Sequence, residues 1–74
     1  MSLEARLREQ LYAAFKASSM TLAELGKASK RANRSVDLDP PALSRKLRGE
    51  TSLSIDEYKA IADALAVTLD WQAA

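Results

Sequence analysis

Apolar residues recur every three or four positions along nearly the whole chain, and no stretch alternates with the period of two that a strand requires. Leu3, Leu7, Leu11, Ala14 and Phe15 fall on one helical face, which predicts a first helix over residues 3–17 with Ser2 as its N-cap. Thr21 and Glu24 have the spacing of a capping box and open a second helix, whose inner face takes Leu22, Leu25 and Ala28 or Ser29. Gly26 inside that helix costs about 1 kcal/mol relative to alanine. Its presence predicts that another helix crosses closely at that point. Asp39-Pro40-Pro41 is a helix-start signal in which Asp39 caps and Leu38 staples against Leu43. Because a residue before proline avoids the α region, Pro40 is expected outside this helix and Pro41 first inside. The helix then spans 41–48 and stops at Gly49. Ser54 and Glu57 form a second capping box, opening a helix to Leu65 with Ile55, Tyr58, Ile61, Ala62 and Leu65 inward. Thr68 then caps a final turn over 69–72, with Trp71 assigned to the core. The expected architecture is a single all-α domain of five helices over residues 1–74.

Composition removes several chemistries. There is no Cys and no His, so disulfides, thiolate metal sites and the commonest general base are missing. The two glycines, Gly26 and Gly49, are too far apart for a phosphate-cradling loop. Asp37 and Asp39 are explained by turn formation and capping rather than as a catalytic pair. No enzyme activity, cofactor, metal or small-molecule ligand is expected. No apolar run approaches the roughly 18 residues of a membrane span, and the opening residues do not read as a signal peptide. The expectation is a soluble, cytoplasmic protein without a membrane partner.

Charge is more informative. The formal net charge is only +1, yet residues 27–48 hold seven bases against Asp37 and Asp39. The rest of the chain holds four bases against eight acids. All the excess positive charge therefore lies in one segment, as expected of a protein that meets a polyanion. Lys27, Lys30, Arg31 and Arg34 stand at i, i+3, i+4 and i+7, so a second helix continued to residue 34 would align them. The other reading of that stretch is a basic loop. In the helix at 41–48 only Leu43 and Leu47 point inward. Ser44, Arg45 and Arg48 point out, and Lys46 lies at the margin.

These residues resemble the lambda-repressor-like, Cro or XRE-type helix-turn-helix family. The likeness rests on Thr21-x-x-x-Leu25-Gly26, then Leu43-Ser44-Arg45-Lys46-Leu47-Arg48-Gly49, then Ile61-Ala62-x-Ala64-Leu65-x-Val67-Thr68-Leu69. It covers about two-thirds of the chain, with motif helices at about 21–34 and 41–48. The segment between them is longer than the family's tight turn. Leu22 stands where a polar residue is usual, and Pro40-Pro41 stand where base-reading residues are common. The resemblance implies a sequence-specific double-stranded DNA-binding regulator from a phage or bacterium. It would bind as a homodimer, formed before or only on DNA, through the end at 67–74. Arg45 is then the main base reader, with Ser44, Ala42 and Pro41 beside it. Lys46, Arg48, Thr51, Ser52, Lys27, Lys30, Arg31 and Arg34 would meet phosphates. A different class of reading is a small helical protein-interaction module, antitoxin-like or anti-repressor, that docks its basic segment on an acidic protein.

Overall fold

The computed structural model describes residues 2–67 and is all-helical over that range, with four helices and no strand. They are α1 (Leu3–Ala17), α2 (Leu22–Ala32), α3 (Pro40–Leu47) and α4 (Ile55–Leu65). The expected fifth helix at 69–72, its Thr68 cap, Trp71 and most of the proposed dimer end lie outside the described residues.

Each helix begins on the cap its sequence predicts. The Ser2 hydroxyl accepts from the Ala5 N–H at 3.1 Å. Both capping boxes are closed in both directions, Thr21 with Glu24 and Ser54 with Glu57. The Asp39 carboxylate accepts from the Ala42 N–H at 2.9 Å, but here the expected boundary shifts. Pro40 is the first helical residue and Pro41 the second: the extended predecessor that Pro40 demands is the N-cap Asp39, and the bonds of Ala42 and Leu43 to Asp39 keep Pro40 in the helix despite the proline after it. α3 ends in a full glycine-capped turn: Gly49, at φ +85°, donates to the Lys46 carbonyl, and Glu50 donates to that of Arg45.

α4 is the hub. It packs on α2 and α1, while α3 packs on those same two helices without its backbone approaching α4. The buried cluster is Leu7 and Leu11 from α1, Leu25 from α2, Leu43 and Leu47 from α3, and Tyr58, Ala60, Ile61 and Ala62 from α4. Tyr58 reaches back to α1, its hydroxyl donating to the Glu4 carbonyl at 3.1 Å. Burial, followed by the Glu4 charge, raises its phenol above the ordinary value. One assigned core residue is not in the core: Ile55, at the first position of α4, is 64% exposed. Three others come from connections: Val36, Leu38 and Leu53 are all buried.

The basic stretch resolves into two parts. α2 ends at Ala32 rather than continuing to residue 34, because Asn33 leaves the helix and its side-chain carbonyl accepts from the Ser35 N–H at 2.9 Å. From there Val36 and Leu38 are buried while Ser35, Asp37 and Asp39 are exposed, so the connection lies on the core by alternate residues. It lies so close to α2 that a Cβ on Gly26 would sit 2.5 Å from the Leu38 carbonyl oxygen. The close neighbour that Gly26 predicts is therefore the extended lead-in to α3, not a crossing helix.

Two expectations follow. Alanine at Gly26 gains about 1 kcal/mol of helix propensity but meets a backbone oxygen that no rotamer change can remove. Gly26→Ala should therefore lower stability by about 1–3 kcal/mol in urea unfolding, whereas propensity alone would raise it. The Glu24 carboxyl is held below its ordinary value by the Thr21 N–H first, then the Thr21 hydroxyl, with Lys27 adding to the effect. A carboxyl depressed on folding stabilises above its unfolded pKa, and that contribution is lost as pH falls through the folded value. Thr21→Ala should cost about 1 kcal/mol at neutral pH. It should also shrink the acid-side loss of stability; an unchanged acid limb in thermal melts against pH would contradict this.

Candidate nucleic-acid interface

α3 divides its residues sharply. Leu43 and Leu47 are buried, Ala42, Ser44 and Lys46 are half-buried, and Pro41, Arg45 and Arg48 are exposed. With about 100° per residue, Pro41, Arg45 and Arg48 lie within one outward arc opposite the two leucines, and Ser44 lies at its edge. Ala42 lies on the flank. The structure thus brings Pro41, Ser44, Arg45 and Arg48 onto one face.

Lys27, Lys30, Arg31 and Arg34 are all exposed. Although Arg34 lies beyond the helix, the turn at 33–36 folds it back. All four side chains line one shallow, open depression. A second depression joins this stripe to α3: Lys27 and Lys30 line it together with Gly26, Leu38, Asp39 and Pro40. The cations of α2 therefore border the N-terminal end of α3. Lys30 lies 4.0 Å from Asp37 and Arg48 lies 2.9 Å from Glu50. Exposed pairs of this kind contribute about 0–1 kcal/mol, so either base can exchange its partner for another anion at little cost.

Lys46 is placed differently from what its sequence position suggests. Its ammonium donates to Glu57 Oε1 at 3.1 Å and to the Ser52 carbonyl at 3.0 Å. The two side chains are only 20% and 18% exposed. A cation bonded twice within the protein reaches a phosphate only by breaking those bonds. Thr51 and Ser52 are exposed in the connection after α3, and Ser52 is held there through that carbonyl.

The N-terminus of α3 offers no backbone donor to an anion. Pro40 and Pro41 have no N–H, that of Ala42 goes to Asp39 Oδ1, and that of Leu43 to the Asp39 carbonyl. Any phosphate at this end must be held by side chains, and the α2 cations are the ones alongside. Two features escape sequence reasoning. Glu57 carries both a cap and the Lys46 bond, across eleven residues of chain that no local motif links. The Arg8 guanidinium lies against Gly49, where a Cβ would come within 2.8 Å of its Cζ. A cation at the C-terminal end of α3 suits that helix's dipole.

Among the described residues no helix is long and apolar enough to cross a membrane, and no group of His, Cys, Asp or Glu is arranged to hold a metal ion. No protein-family model, curated protein or solved structure matches the chain.

If the depression holds a phosphate backbone, replacing Lys30, Arg31 and Arg34 together with glutamine should weaken binding to every duplex. The slope of log K against log salt should become shallower by about 0.9 for each phosphate no longer neutralised. An unchanged slope in salt titrations would mean that this stripe does not touch nucleic acid.

Proposed function

We propose that this protein is a sequence-specific double-stranded DNA-binding transcriptional regulator of the Cro or repressor kind, with α3 lying in the major groove. One observation carries the reading. A helix seated by two leucines presents Pro41, Ser44, Arg45 and Arg48 outward, and its first residue, Pro40, borders Lys27 and Lys30 of a depression lined by four further cations. A helix about 10–12 Å across fits a major groove about 12 Å wide. In a helix-turn-helix arrangement the preceding helix crosses the backbone, which is where the α2 cations would meet phosphates. The resemblance of residues 21–71 to the lambda-repressor-like family supports the same assignment.

The roles then divide by chemistry. Arg45 stands opposite the buried leucines and offers a planar fork that can bond guanine O6 and N7 together. Ser44 and Pro41 flank it, and Ala42 offers a methyl group to thymine. Arg48, Thr51, Ser52 and the α2 stripe would take phosphates, setting register and affinity without reading sequence.

Selection of bound sites from a random duplex pool tests the reading directly. A defined consensus is expected, and two half-sites about 10 base pairs apart would indicate a two-fold dimer. On that site Arg45→Ala should cost about 1–3 kcal/mol of discrimination while non-specific binding persists. Recovery of no consensus, or an even loss of affinity for all sequences in the variant, would overturn the assignment. A basic face that binds an acidic protein instead would show no competition by duplex DNA.

A further inference from the structure

α3 is held in an unusual way. Leu43 and Leu47 lie only about 40° apart around its axis. Two anchors nearly in line hold a helix down but resist its rolling poorly. Its backbone meets α2 and α1 but does not approach α4. Lys46 spans that gap from the flank of the leucine line. It bonds Glu57 Oε1 at 3.1 Å and the Ser52 carbonyl at 3.0 Å. The same Glu57 oxygen accepts the Ser54 N–H at 2.8 Å, so the contact ends on the cap of α4, the most extensively packed helix.

We propose that the Lys46–Glu57 pair sets the roll of α3 about its own axis and thereby aims Arg45; this rests on the reading of α3 as the DNA-facing helix. Lys46 is on this account a positioning residue, not a phosphate contact. The two side chains are about four-fifths shielded, so salt screens their attraction less than that of exposed charges. The bond is directional as well as electrostatic, because one ammonium serves two acceptors on separate elements, the 49–54 connection and α4. Arg8, laid over Gly49, steadies the same end of α3 from the α1 side.

The test uses Lys46→Met, which keeps most of the stem, and Glu57→Gln, which keeps an oxygen for the Ser54 N–H, together with the double variant. In the free protein, both single variants should shift a shared set of amide resonances in α3 and residues 50–54. Shifts confined to the surroundings of each substitution would overturn the proposal. On the selected DNA site, each single variant should lower the ratio of specific to non-specific affinity by about threefold to tenfold, with no further loss in the double variant. The salt slope should stay unchanged, and Lys46→Arg should restore the ratio. A slope shallower by about 0.9 in Lys46→Met but not in Glu57→Gln would instead place Lys46 on a phosphate. A general loss of folding would lower the active fraction without altering the ratio, which also counts against the proposal. Were the protein to prefer no duplex, the reading of α3 would fall, and the amide shifts alone would decide whether the pair orients the helix.

Discussion

The lead-in to α3 lies with its backbone directly on α2, and Gly26 is what allows it to lie there. Any side chain at that position would meet the Leu38 carbonyl. The close approach draws Val36 and Leu38 into the core and starts α3 alongside the end of the basic stripe. Without it the connection would stand off the helix, and the start of α3 would lose its place beside α2. A glycine in a helix interior normally destabilises; here it secures a backbone approach on which the geometry of the charged face depends.

The four described helices divide their work unequally. α4 contributes Tyr58, Ala60, Ile61 and Ala62 to the apolar core and joins α1, with Leu7 and Leu11, to α2, with Leu25. α3 adds two leucines and otherwise faces outward. Its electrostatic surroundings are equally uneven. Backbone donors at its N-terminus are either absent or already satisfied, and one cation near its C-terminal end is turned inward. The exposed positive charge of residues 27–48 belongs to long side chains, Arg45 and Arg48 at α3 and four more from α2 and the turn after it. Such a surface suits an extended polyanion better than a single small anion, because its cations are spread along two elements rather than converging on one point.

Much of this was legible in the residues alone. Helix starts were, because a cap is a local bond between one side chain and an amide three residues on: Ser2, Thr21, Asp39 and Ser54 all cap where their spacing says. The segregation of Leu43 and Leu47 from Arg45 and Arg48 was as well, since helical period dictates it. The end of α2 was not. Four bases at helical spacing suggest continuation to Arg34, but the Asn33 side chain bonds the chain into a turn first. Ile55 continues the apolar period of α4, yet at its first position it faces solvent.

The caps that open the four described helices and the concentration of positive charge in residues 27–48 were set along the chain, because each depends on near neighbours in sequence. What lies against Gly26, the return of Arg34 to the α2 cations, the cover of Arg8 over Gly49 and the bond of Lys46 to Glu57 came from packing. Those outcomes depend on which elements come together in space. A side chain as long as lysine has the reach to settle on either solvent or protein, and only the packed neighbours choose between them.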